Sequence, residues 1–143
     1  MLQAGPAPQR LSEEFCVYQS TEPCAVILFG ASGDLAHRKL IPALFDLRHQ
    51  HLLPPHFFLL GLSSKAMDDA AFRQEVAATL KRAGKEAIDA SVAAAFTKAA
   101  YFLPGNFSEP ATYQRLSHRL SELESQHKTA RTRVFYLAIP PAL

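Results

Sequence analysis

Apolar positions along the chain follow two alternating rhythms. Short unbroken runs, Ala25 to Phe29 and Phe57 to Leu60, read as buried strands, the first bounded by Pro23 and Gly30 and the second ended by Gly61. Elsewhere apolar residues recur every three or four positions. Leu40, Leu44 and Leu47 predict a helix from Asp34 to about His49, and Phe72, Val76 and Leu80 a second from Asp68 to Arg82. Ile88, Val92 and Phe96 predict a third from Lys85 to Lys98, separated from the second near Gly84. Tyr101 to Leu103, closed by Pro104 and Gly105, is a short strand. Tyr113, Leu116, Leu120 and Leu123 mark a further helix, expected to start from Ser108 with Glu109 and Pro110 in its first turn. Val134 to Ile139 is the last strand, stopped by Pro140 and Pro141. Pro42 conflicts with the first helix: it removes a hydrogen bond to the carbonyl of Arg38 and is expected to bend the helix there.

Strands alternating with helices predict an α/β fold, a parallel sheet wrapped by helices. The expected boundaries are a flexible polar leader over residues 1–23 and one domain over 24–143. A four-strand parallel sheet ending at Ile139 would leave an open edge, so the sheet reads as incomplete on its C-terminal side. No internal repeat or low-complexity segment breaks the pattern.

Composition narrows the picture. The chain has 143 residues, 48% hydrophobic and 20% charged, enough for a single globular domain with a real core. A net charge of +2 is too small to argue for a nucleic-acid or membrane partner. No apolar run approaches the roughly 18 residues of a membrane span. The first fifteen residues, MLQAGPAPQRLSEEF, lack the basic-then-apolar pattern of a secretory signal. Cys16 and Cys24 have no histidine cluster beside them, which argues for free thiols in a reducing compartment rather than zinc. Together these features read as a cytoplasmic protein.

The candidate chemistry lies where the first strand meets the first helix. Gly30, Gly33 and Ala36 are spaced Gly-x-x-Gly-x-x-Ala at the carboxyl end of a strand, where parallel sheets bind ligands. The helix that follows offers free N–H groups and a positive end. A phosphate can approach them only if no side chain stands at Gly30 or Gly33. Ser32 adds a hydroxyl, Ala36 lets the helix pack closely on the strand, and Asp34 is expected to turn away and hold the loop. The spacing does the work of a dinucleotide fingerprint without being the usual Gly-x-Gly-x-x-Gly. A tight turn without a ligand is the competing reading. After the second strand, Leu62, Ser63, Ser64 and Lys65 follow Gly61, and no acid appears before Asp68. An NAD site ordinarily has an acidic residue there for the ribose 2′-hydroxyl. Hydroxyls and an ammonium suit a 2′-phosphate, which favours NADP, while an ordinary polar loop is the alternative.

"FGASGDLAHRKLIPALFDL" resembles the N-terminus of the glucose-6-phosphate dehydrogenases. "FFLLGLSS", "YFLPGNFSEPATYQRL" and "RVFYLAIPP" are similar to that family's next segments, in the same order. The resemblance runs from about residue 25 onward and gives Pro42 a counterpart. It implies a Rossmann-like domain of an enzyme that takes hydride from C1 of glucose 6-phosphate with NADP, yielding the lactone. In full-length members it implies a homo-oligomer. Gly30, Ala31, Ser32, Gly33, Asp34, Leu35, Ala36 and His37 would form the pyrophosphate loop. Asn106 and Phe107 would meet the adenosine half, Ala138 to Pro141 would lie near the nicotinamide end, and Lys39 would face the substrate side. The family often has an arginine for the 2′-phosphate where this chain has Ser64, so Lys65 must compensate if NADP is kept. The departure implies weaker NADP preference, with NAD as a possible cofactor.

The family's Glu-Lys-Pro motif, the Asp-His-Tyr-Leu-Gly-Lys motif bearing its catalytic base and its substrate domain have no counterpart in these 143 residues. The resemblance therefore implies a cofactor domain without the catalytic half, inactive alone. His37 is expected beside the phosphate loop, and His49, His51, His56, His118 and His127 on the surface or in loops. Two other readings remain. A short-chain reductase would need a Tyr-x-x-x-Lys pair, which is missing. A non-catalytic nucleotide-binding module would not.

Overall fold

In the computed structural model, residues 22–140 can be described. Cys16, Pro141 and nearly all of the expected leader lie outside them. Four strands, β1 (Cys24–Phe29), β2 (Phe57–Ser63), β3 (Ala100–Pro104) and β4 (Arg133–Leu137), form one sheet in the order β3-β2-β1-β4. Every pairing is parallel, so all four carboxyl ends open on the same edge of the sheet.

Alternation along β1 sends its residues to two cores. Val26 and Leu28 meet Phe45, Phe72, Val76 and Phe96 on one face. Ala25, Ile27 and Phe29 meet Leu116, Leu120 and Leu123 on the other. The first face is covered by α1 (Ile41–His49), α2 (Asp69–Arg82) and α4 (Ala90–Lys98), and the second by α5 (Pro110–His127). The result is a helix–sheet–helix sandwich, as the alternating elements predict. No helix of the described residues is long and apolar enough to cross a membrane.

Several expectations are corrected. Gly61 does not end β2. It lies within the strand, where a Cβ would come within 2.6 Å of the Ala31 Cβ and 2.9 Å of the Phe72 ring. A smooth surface is needed there so that the glycine turn and α2 can sit on the sheet. The third helix is two: α3 (Lys85–Ile88) stops at Asp89, whose extended backbone lets its carboxylate accept the Val92 N–H at 3.0 Å and start α4. Ile88 is left exposed. α5 starts at Pro110 with Glu109 preceding it, not from Ser108, and Thr112 rather than Tyr113 takes the buried position. The buried stripe of α1 is Ile41, Pro42 and Phe45, while Leu47 is exposed.

Pro42 does not bend a continuous α-helix. Residues Ala36–Leu40 form a wide π-helical turn in which the Ile41 N–H donates to the Ala36 carbonyl, and α1 begins directly after it. Pro42 then falls in the first turn of α1, where a missing N–H costs little.

β4 is the open edge that the pattern predicts. Val134, Phe135, Tyr136 and Leu137 are all exposed, so the strand is uncovered on both faces as well as along its edge. It is anchored at its start, where Arg133 makes a two-pronged ion pair with the buried carboxylate of Glu124 on α5.

Candidate functional site

The parallel register gathers the sequence-predicted residues on one edge. Gly30 to His37 follow β1, Ser64 and Lys65 follow β2, Asn106 and Phe107 follow β3, and Ala138 and Pro140 follow β4. The order β3-β2-β1-β4 sets these segments side by side with the glycine turn near the middle.

The two glycines of the turn have different physical causes. Gly30 has φ of +89°, and a Cβ there would lie 2.2 Å from the Ala138 carbonyl oxygen. The chain's own packing therefore requires it, whether or not a ligand binds. Its N–H and that of Ala31 both donate to the Leu62 carbonyl, which ties the turn to β2. Gly33 is under a much weaker demand. Its φ is ordinary, and a Cβ there would meet only the Gly30 carbonyl oxygen, at 3.3 Å. Gly33 is exposed, and among the described residues the amides of Ser32, Asp34 and Leu35 donate to no carbonyl. An exposed glycine that packing constrains only mildly, beside free amides at a helix start, is the arrangement a phosphate needs. Ala36 is fully buried against the sheet, and Asp34 pairs with Arg38 at 3.0 Å, turned to solvent as expected. Leu35 is left exposed at this edge.

The flanks of the turn are also ordered. The Asn106 side-chain oxygen accepts the Ser108 N–H at 2.9 Å, which shapes the loop after β3. The Phe107 ring lies 5.3 Å from that of Phe29. On the other side the Ala138 N–H donates to the Phe29 carbonyl at 2.8 Å, and Pro140 is exposed. Lys39 is exposed on the wide turn, with no carboxylate partner among the described residues.

The loop after β2 departs most from the expectation. The Lys65 ammonium is not free: it contacts Glu75 of α2 at 2.7 Å. Ser63 is buried, with its hydroxyl accepting the Lys65 N–H, while Ser64 is exposed. Glu75 also approaches His37, with 3.5 Å between Oε1 and Nε2. The other ring nitrogen of His37 shares a 2.7 Å hydrogen bond with the Thr79 hydroxyl, to which Arg82 donates at 3.3 Å. Burial above all pushes the His37 imidazole below the usual histidine range; Glu75 opposes this, and Arg82 and Lys65 add to it. His37 is thus a neutral hydrogen-bonding group at neutral pH. Ser32, His37, Glu75, Ala78, Thr79 and Arg82 line a cleft of about 230 Å³ beside the glycine turn.

Glu75, Thr79 and Arg82 are not among the residues expected from sequence. Their spacing of four and three places them on one face of α2, a signal available in the sequence but without the packing that turns this face toward the glycine turn. Two histidines are also less peripheral than expected. His127 bonds the Tyr101 hydroxyl at 2.7 Å, and burial first, then His56 and Arg73, lowers its pKa. His49 stacks on Phe45.

Comparison with known proteins agrees with this fold. Residues 27–143 match the family model described as glucose-6-phosphate dehydrogenase, NAD binding domain. The chain is 35% identical over 122 residues to glucose-6-phosphate 1-dehydrogenase of Aggregatibacter actinomycetemcomitans, covering 85% of this chain and 24% of that protein. It is 32% identical over 139 residues to the chloroplastic enzyme of Nicotiana tabacum, covering 96% of this chain and 23% of the relative. A solved glucose-6-phosphate dehydrogenase in complex with its substrate glucose 6-phosphate superposes with a TM-score of 0.75 at 30% identity, over 87% of this chain and 26% of the other. The enzyme from Mycobacterium avium, at 22% identity and a TM-score of 0.68, shares the fold. The chain thus spans about a quarter of the length of the relatives it matches.

Proposed function

Because the chain belongs to the glucose-6-phosphate dehydrogenase family, in its NAD-binding domain, we propose that it forms the cofactor-binding part of a cytoplasmic enzyme that oxidises glucose 6-phosphate at C1 to the lactone, with NADP as the preferred cofactor. The observation that carries the reading is Gly33, a glycine far less constrained by packing than Gly30, beside free amides at the carboxyl end of the central strand β1.

In this reading the cofactor, when bound, supplies the hydride acceptor. The chain's own residues bind and orient it. The free amides of Ser32, Asp34 and Leu35 and the Ser32 hydroxyl hold the pyrophosphate. Asn106 and Phe107 bound the adenosine side, and Ala138 and Pro140 the nicotinamide side. Ala36 and Gly61 let the helix start and the sheet approach closely enough to bring those amides to the ligand. Lys39 stands on the side from which an anionic sugar phosphate would enter. In the full-length protein this family context supports a homo-oligomer.

Calorimetry of NADP binding to the chain tests the reading. Wild type should bind, and Gly33→Val should not, with its far-ultraviolet circular dichroism unchanged. Equal binding by both would overturn the phosphate-loop assignment.

A further inference from the structure

The cleft between the glycine turn and α2 has charged side chains of its own, Glu75 and Arg82. Resting on the cofactor-domain reading, we propose that Arg82, at the last turn of α2, reads the NADP 2′-phosphate in place of a strand-end arginine, and that Glu75 sets how strongly it does so.

A site that prefers NADP needs a cation near the carboxyl end of the second strand, where the adenosine ribose lies. Ser64 supplies none, and Lys65 is already held by Glu75 at 2.7 Å. Arg82 is exposed and, among the described residues, has no carboxylate partner; it donates to the Thr79 hydroxyl. It lines the same cleft as Ser32, which puts it beside the glycine turn that the cofactor would occupy. Lys39 and Arg38 line only the neighbouring cleft, which Arg82 shares, and Arg38 is paired with Asp34. A guanidinium suits a phosphate better than an ammonium because its parallel N–H groups can engage two oxygens.

Glu75 is the opposing element. Its carboxylate lies in the same cleft and holds both Lys65 and His37. The carboxylate repels a 2′-phosphate, yet by fixing Lys65 it also keeps a second cation close by. With His37 neutral, Arg82 in the cleft and the Lys65–Glu75 pair at its margin together carry one net positive charge. That favours a dianionic phosphate over a hydroxyl by less than an uncompensated pair of cations would.

The test measures NADP and NAD dissociation constants by calorimetry for the whole chain, wild type and variants, at one fixed ionic strength. Arg82→Ala should weaken NADP by about ten- to a hundredfold, the worth of one charge-assisted contact, and leave NAD within about twofold. Arg82→Lys, which keeps the charge and loses the fork, should fall between wild type and Arg82→Ala. Glu75→Gln should tighten NADP and leave NAD nearly unchanged. Added salt should weaken wild-type NADP binding more steeply than that of Arg82→Ala. An Arg82→Ala effect that is absent or equal for both cofactors would overturn the proposal. So would specific loss of NAD in Glu75→Gln, since Glu75 would then be accepting a ribose hydroxyl. If wild type binds neither nucleotide, the cofactor-domain reading itself fails; if it binds both and Arg82→Ala changes nothing, only this assignment fails.

Discussion

Gly30 and Gly33 look equivalent in the sequence and are not equivalent in the fold. At Gly30 an L-residue would meet two costs: a left-handed φ of +89°, and a backbone oxygen 2.2 Å from its Cβ. The first alone is worth about 1–2 kcal/mol. Gly30→Ala should therefore destabilise the domain by at least about 2 kcal/mol, and Gly33→Ala by less than about 1 kcal/mol. Urea unfolding of the two variants measures the contrast, and similar midpoints would contradict it. The glycine spacing, its place after a strand, and the roles of Ala36 and Asp34 were legible in the sequence, because they depend on near neighbours. The separate reason for Gly30 was not, because it rests on Ala138, brought alongside only by the pairing of β1 with β4. The ion pair of Lys65 was not legible for a similar reason. Its partner Glu75 is ten residues on, across a loop and a helix start.

At the scale of elements, hydrophobic period was a good guide to what exists and a poor guide to where it ends. All four strands and the helices on both faces follow from it. The miscounts came from polar residues that start helices within an apolar rhythm, as Asp89 does, and from the wide turn before Pro42, which shifts the stripe of α1 by one position. The join of β4 to α5 was not legible, since neither Glu124 nor Arg133 stands out in the sequence. The Glu124 side chain is 8% exposed and that of Arg133 is 29% exposed. Removing the arginine strands a buried carboxylate. Arg133→Ala should cost about 2–3 kcal/mol, towards or below the low end for a broken buried pair because Arg133 keeps some water. Replacing both residues by leucine should recover most of that loss. Thermal or urea unfolding of the single and double variants checks both, and a double variant as unstable as the single one would show that the pair is not the cause.

For the whole molecule, an α/β sandwich with one open edge was legible in the sequence. What such a chain can do alone follows from which groups reach its ligand edge. Proton removal from a sugar hydroxyl needs a positioned base. Leu137 to Pro140, which border the nicotinamide side in the proposed function, include no titratable side chain, and His37 is committed to Thr79 across the turn. The 143-residue chain should therefore bind NADP and yet reduce it with glucose 6-phosphate no faster than buffer does. Absorbance at the reduced-nicotinamide band measures this, and turnover above background would mean that the base lies within this chain. The strand order also sets a sequence in time. β1 is an early element of the chain, but it sits between β2 and β4, and its pairing with β4 spans about a hundred residues. The glycine turn hangs from β1, and Gly30 is locked only when Ala138 arrives beside it. During synthesis the glycine turn is thus made early and set late, and in the proposed function the ability to bind nucleotide reports that β4 has joined the sheet.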